Sequence, residues 1–172
     1  VYGVDAATGK EIWRYATENY VNGSAAISAG TVVVGGCDSD IHILSLTDGA
    51  GIRTIDVGAY IAGSVAIRDG RLYLGHYGNR VQAYDLATGE QLWSYRQRDF
   101  AYFSSPAVTE DFLAIGGRDK RVHAIDPRTG KGLWTARTRG MVDSSPVLVG
   151  DAVVVGSEDG RRCLLALSPI HL

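Results

Sequence analysis

Apolar residues fall along this chain in short runs, each closed by glycine or a polar turn, and the runs recur. One set reads Val32-Val33-Val34-Gly35, Leu72-Tyr73-Leu74-Gly75, Leu113-Ala114-Ile115-Gly116 and Val153-Val154-Val155-Gly156. Runs this short, rich in β-branched and aromatic residues and bounded by turn signals, predict strands. An uninterrupted apolar run predicts a strand covered on both faces. The 3.6-residue period of an amphipathic helix is absent, and no segment between turns is long enough for a typical helix.

Two further markers keep the same phase. The turn glycines Gly9, Gly49, Gly89 and Gly130 lie 40, 40 and 41 residues apart. Small-residue clusters follow at Gly23-Ser24-Ala25-Ala26, Gly63-Ser64-Val65-Ala66, Ser104-Ser105-Pro106-Ala107 and Ser144-Ser145-Pro146-Val147. Each period holds four strand candidates, which in the third copy are 105–109, 112–117, 121–126 and 132–137. Four antiparallel strands in about 40 residues form the unit of a propeller blade. The predicted fold class is therefore all-β: a β-propeller segment of about four four-stranded antiparallel blades, with repeats of 40–41 residues.

The clearest unit is Val1-Tyr2-Gly3-Val4-Asp5-Ala6-Ala7-Thr8-Gly9-Lys10-Glu11-Ile12-Trp13, a strand, a tight turn and a strand. It returns at 81–93 and 122–134, and in a worn copy at 41–53 that ends in Ile52-Arg53. The Asp carboxylate is suited to accept backbone N–H groups, and Gly9, Gly89 and Gly130 supply the positive φ of the turn. Trp13, Trp93 and Trp134 are predicted docking residues, each ring lying over the next blade and burying on the order of 200 Å². At about 25 cal/mol/Å² this is several kcal/mol per contact as an upper bound. The Gly/Ser clusters are predicted to open the innermost strands, where bulky residues would collide.

This Asp-x-x-Thr-Gly-x-x-x-Trp pattern, with the Ser-Ser-Pro and Val-Val-Val-Gly segments, resembles the tryptophan-docking repeat of pyrroloquinoline-quinone-type propellers. The resemblance covers essentially the whole chain. It is closest in style to non-catalytic members such as the outer-membrane assembly lipoprotein. In that family's strand order the region 1–172 divides into the last two strands of a blade at 1–15, full blades at 24–57, 64–96 and 104–137, and a partial blade at 144–168. The tail is irregular: 159–167 is longer than the earlier copies, and Ser168-Pro169 stands where Asp-x-x-Thr-Gly is due. Two arrangements stay open, a cut from a larger ring of seven or eight blades and a small ring closed by the strand 11–15. Because Val1 falls in mid-blade, the chain is expected to be an excised or processed piece. It would form an open arc able to self-associate through its blade edges.

Composition adds limits. With 22 glycines, 4 prolines and 45% hydrophobic residues, the chain suits many short strands joined by tight turns. A net charge of −2 implies no nucleic-acid partner. No apolar stretch approaches a membrane span, so direct membrane insertion is not expected. Cys37 and Cys163 have no metal-ligand or redox-motif spacing and are expected to be small apolar strand or turn residues, with a long-range bridge as the alternative.

Recognisable chemistry is sparse. For a quinone enzyme the resemblance would imply an adjacent Cys-Cys pair, a calcium set of Glu, Asn and Asp, an Asp base, and a Trp stacked on the quinone. The cysteines are far apart, all three tryptophans occupy docking slots, and Asp38-Ser39-Asp40 lacks the longer series of a calcium loop. No cofactor, metal or catalytic residue is therefore assigned. His42 and His123 hold equivalent strand positions with Gln82 between them, which predicts a polar, partly exposed face.

Binding is expected instead on the loops, whose residues vary from copy to copy although the architecture does not require it. Loops 18–23, 58–63, 98–103 and 138–143 carry Tyr20, Asn22, Tyr60, Tyr102, Phe103 and Asp143. The second set, 37–40, 76–80, 118–121 and 158–161, adds Tyr77, Arg118 and Glu158. Aromatics mixed with arginine suit a protein or peptide partner. The expected function is a non-catalytic scaffold, in the cell envelope or periplasm by resemblance. The alternatives are a fragment of a quinone-dependent dehydrogenase and a sensor domain fused to a kinase.

Overall fold

The computed structural model describes residues 1–150, 152–159 and 165–167. Cys163, His171 and the irregular Ser168-Pro169 segment lie outside the described residues. Among those described, every regular element is a strand and no helix forms.

Five antiparallel sheets follow one another along the chain. The first pairs β1 (Tyr2–Val4) with β2 (Glu11–Arg14). The second holds β3 (Ala26–Ser28), β4 (Thr31–Gly35), β5 (Asp40–Ser45) and β6 (Gly51–Asp56). The third holds β7 (Ala66–Arg68), β8 (Arg71–His76), β9 (Arg80–Asp85) and β10 (Gln91–Tyr95). The fourth holds β11 (Ala107–Val108), β12 (Leu113–Gly117), β13 (Arg121–Ile125) and β14 (Gly132–Arg137). The fifth holds β15 (Val147–Val149), β16 (Ala152–Val155) and β17 (Leu165–Leu167). Strands within each sheet stand in sequence order, the up-and-down arrangement of a propeller blade.

The apolar runs explain the stacking. On β8 and β9, Leu72, Leu74 and Tyr84 face the second sheet and pack with Val33, Ile41 and Ile43. The alternate residues Tyr73, Val81 and Ala83 face the fourth sheet and pack with Leu113, Ile115 and Ile125. A third cluster joins Ala114 and Val122 to Val142, Val153 and Val155. The central strands of the third and fourth sheets are thus covered on both sides, while β16 of the fifth sheet is buried on alternate residues only.

The Asp-x-x-Thr-Gly turn closes as its chemistry dictates. Asp5 Oδ1 accepts the Thr8 amide at 2.7 Å and the Thr8 hydroxyl at 2.7 Å. Asp85 accepts the amides of Ala87 and Thr88, and Asp126 those of Arg128 and Thr129. These bonds hold the carboxyls below their ordinary range, led by the Thr8 hydroxyl at Asp5, the Thr88 amide at Asp85 and the Arg128 amide at Asp126. Gly9, Gly89 and Gly130 take φ of 69°, 78° and 72°.

The turn glycine is also the seat for the preceding sheet's docking residue. Trp13 covers Gly49, where a Cβ would lie 2.5 Å from the ring, and its Nε1 donates to Leu46 O at 3.1 Å. Trp93 covers Gly130, and its Nε1 donates to Pro127 O at 3.0 Å. In the worn copy Arg53 takes the slot: its stem lies against Gly89 and its Nη2 donates to Ala87 O at 3.1 Å. Trp134 packs on Phe112 of its own sheet, its ring centroid 6.4 Å away, and the turn that it is expected to cover lies outside the described residues.

At the inner strands the serines form a ladder. The Ser24 amide donates to Ser64 Oγ at 2.7 Å, Ser64 N to Ser105 Oγ at 2.8 Å, and Ser105 N to Ser145 Oγ at 3.0 Å. The approach needs small residues: a Cβ on Gly23 would lie 2.5 Å from Gly63 O, and one on Gly63 2.7 Å from Phe103 O.

Candidate interaction face

The loops entering each sheet and the turns between its second and third strands gather on one face, stitched by a repeated pair of backbone bonds. Cys37 N donates to Tyr20 O, Tyr77 N to Tyr60 O, Arg118 N to Ala101 O and Glu158 N to Met141 O, at 2.8 to 3.1 Å. In the last three of these loops the next residue returns a bond: Ile61 N to Gly36 O, Tyr102 N to His76 O and Val142 N to Gly117 O.

That register corrects one expectation. Tyr102 occupies the slot of Ile61 and Val142, and like them it is buried, with 2% exposure. Its ring stands edge-on to His123 with centroids 5.2 Å apart. It supports the face from below and is not available to a partner.

Tyr60, Tyr77, Phe103, Arg118 and Asp143 form a chain of side-chain contacts crossing three sheets. Tyr60 meets Tyr77 edge-on at 6.2 Å, and Tyr77 lies 4.2 Å from Phe103. The Arg118 guanidinium sits 4.0 Å over the Phe103 ring, a cation–π contact. Arg118 then binds Asp143 through two nitrogens, Nε at 3.1 Å and Nη2 at 2.7 Å. Tyr60 and Tyr77 are about half exposed, and Tyr20 is 78% exposed. Asn22 Nδ2 lies 3.3 Å from the sulfur of Cys37, a free thiol. Glu158 is exposed at the end of the row. Phe100, absent from the predicted set, is also exposed. Its signal is its place in the same loop as Phe103.

Below the face lie two buried clips. His42 Nδ1 is 3.3 Å from the Tyr15 hydroxyl of the preceding sheet, and its Nε2 is 3.0 Å from Asp38 Oδ2. His123 repeats this with Tyr95 at 3.2 Å and Asp119 at 3.0 Å. Both imidazoles are buried, at 5% and 0% exposure. This overturns the expected partly exposed polar face: the Asp four residues upstream and the neighbour's Tyr satisfy both ring nitrogens, which permits burial. An Asp-His-Tyr triad closed on itself in the interior is a fastener between sheets. Replacing Asp119 by alanine is expected to cost about 1–3 kcal/mol by leaving a buried ring nitrogen unpaired, measurable by urea denaturation. A loss below about 0.5 kcal/mol would show that the clip carries no stability. His76 is buried too. Its Nδ1 accepts the Gly78 amide at 3.0 Å, and burial pushes its pKa down.

These residues do not fit a quinone or calcium site. Trp13 and Trp93 are committed to carbonyls of the next sheet. Among the described residues, Asp38, Asp40 and His42 bring potential ligand atoms within 4.8 Å of one another. However, Asp38 already accepts from the Asp40 amide, and His42 is held from both sides.

Comparison with known proteins agrees with this geometry. The family model described as outer membrane protein assembly factor BamB matches residues 1–110 and 101–169. Sequence comparison with curated proteins gives no match. Among solved structures, BamB from Moraxella catarrhalis superposes with a TM-score of 0.81 at 23% identity, over 94% of this chain and 51% of that one. The chain thus spans about half the length of the Moraxella protein. The computationally designed Ika4 protein gives 0.82 at 20% identity, over 94% of this chain and 99% of that one. A quinohemoprotein alcohol dehydrogenase, ADHIIG from Pseudomonas putida HK5, gives 0.77 at 19% identity, over 85% and 30%. At these identities the likeness is one of fold, shared by proteins of unlike chemistry.

Proposed function

The chain belongs to the family of the outer membrane protein assembly factor BamB, with pyrroloquinoline-quinone-like propeller repeats, and we propose that it is a non-catalytic scaffold for a protein or peptide partner in the bacterial cell envelope. The observation that carries this reading is the row Tyr60, Tyr77, Phe103 and Arg118. Aromatic and arginine side chains dominate binding energy at interfaces, and here they are pre-stacked on stitched loops, so little entropy is lost on contact. Tyr20, Asn22, Asp143 and Glu158 extend the surface. The family's own description as an assembly factor supports recognition of another protein. The half-length match supports membership of a larger ring, in which 24–57, 64–96 and 104–137 are full blades.

The combined variant Tyr60→Ala, Tyr77→Ala, Phe103→Ala is expected to lower cross-linked partner recovery at least about tenfold, with circular dichroism unchanged. Undiminished recovery by the folded variant would refute the reading. The fold shared with ADHIIG favours one alternative, a segment of a quinone enzyme. Reconstitution of the full-length protein with pyrroloquinoline quinone and Ca²⁺ separates the two, since dehydrogenase activity would discard the scaffold reading.

A further inference from the structure

The interaction face is electrically divided. Loops 15–23, 36–40 and 55–60 carry Glu18, Asp38, Asp40 and Asp56 with no lysine or arginine. Loops 78–80, 95–103, 117–121 and 136–143 carry a surplus of positive charge, bordered by the exposed Glu158, whose amide donates to Met141 O. Within that sector Arg118 is neutralised by Asp143, and Arg96 by Asp99. By contrast Arg98, Lys120, Arg137 and Arg139 are exposed and make no ion pair among the described residues. The strand register brings two of these together, because Arg121 pairs with Arg137 and the Thr138 amide donates to Lys120 O. On the acidic side, burial raises the Asp40 pKa, and Asp38, Asp56 and Glu18 push the same way, opposed only by His42. The row Tyr60, Tyr77 and Phe103 runs toward the basic sector and ends under Arg118.

We infer that this face takes an acidic polypeptide segment carrying an aromatic residue, with its carboxylates over Arg98, Arg137 and Arg139 and its ring on the Tyr77–Phe103 stack. The inference rests on the scaffold reading and names the partner's chemistry. Unpaired cations at the rim of a binding face steer and select carboxylates. The division of the face argues against a nucleic acid or an anionic bilayer. Such partners present one sign of charge continuously, and at physiological salt fields reach only about 8 Å. A polyanion laid across the face would therefore contact the carboxylates of Glu18, Asp40 and Asp56 directly (Asp38 is buried against His42), whereas a polypeptide confines its charges to the basic sector.

The test uses fluorescence anisotropy with four probes: a short Glu/Asp peptide ending in tryptophan, its Lys/Arg counterpart, a DNA duplex, and phosphatidylserine vesicles. The acidic peptide is expected to bind at least about tenfold tighter than the basic one, with affinity falling as salt rises. Combined Arg98→Glu, Arg137→Glu and Arg139→Glu should weaken it about tenfold or more. The aromatic triple variant should abolish the advantage of a tryptophan-ended over an alanine-ended acidic peptide. Equal or tighter binding of the basic peptide, tighter binding of DNA or vesicles, or no binding of the acidic peptide would each overturn the inference. If the aromatic variant loses its cross-linked partner while the acidic peptide shows no preference, the scaffold reading stands and this one falls.

Discussion

Replacing Trp93 by alanine is expected to lower the unfolding free energy by about 3–5 kcal/mol, read from the midpoint and slope of a urea transition. The ring is 8% exposed, lies on Gly130 and stands 5.9 Å from Tyr73. Its removal opens a cavity between the third and fourth sheets that neither can fill, because β8 and β12 are already packed on their other faces. The hydrogen bond is the smaller part. Pro127 O also accepts from the Tyr73 hydroxyl at 3.3 Å and from Arg71 at 3.4 Å, so Trp93→Phe should cost only about 1 kcal/mol. Glycine substitutions separate ring from backbone. Gly30 and Gly130 have similar positive φ, 77° and 72°, but a Cβ at Gly30 meets nothing while one at Gly130 strikes the Trp93 ring. Gly130→Ala should therefore be worse than Gly30→Ala. Equal losses at the two sites would sink the docking account.

Tyr102→Ala is the second large effect, again about 3–5 kcal/mol. The side chain fills the space against Gly75, where a Cβ would lie 2.6 Å from its own, and braces His123. Burial pushes its hydroxyl pKa far up. Tyr60→Ala, at an exposed position in the neighbouring slot, should change stability by no more than about 0.5 kcal/mol. Two tyrosines from the same set of loops would thus divide cleanly, one by stability and one by binding. Comparable losses on urea denaturation would contradict the burial of Tyr102.

The contrast shows where sequence reading succeeds. The period, the strands and the propeller class were legible because three markers kept one phase and each has a local cause: a turn, a close approach, a buried strand. Tyr102 was misread by residue type, although phase places it with Ile61 and Val142. The histidines were misread for a different reason. Asp38 and Asp119 each precede a histidine by four residues, while Gly78 stands in that place before Gln82, so half of each clip was visible in the sequence. The other half, Tyr15 or Tyr95, comes from the preceding sheet and appears only when the sheets stack. The charge division of the face likewise emerges only after loops distant in sequence are assigned to one side.

The serine ladder has a consequence for inheritance. Ser64 and Ser105 each serve two neighbours at once, receiving an amide on the hydroxyl and offering their own amide onward. A residue inserted between two rungs would shift one sheet against the next and break links on both sides. A whole unit of 40 or 41 residues gained or lost would leave the remaining rungs as they are. The inner rim therefore permits a lineage to count in blades and penalises counting in residues, and length variation is driven outward to the loops, where recognition is free to diverge.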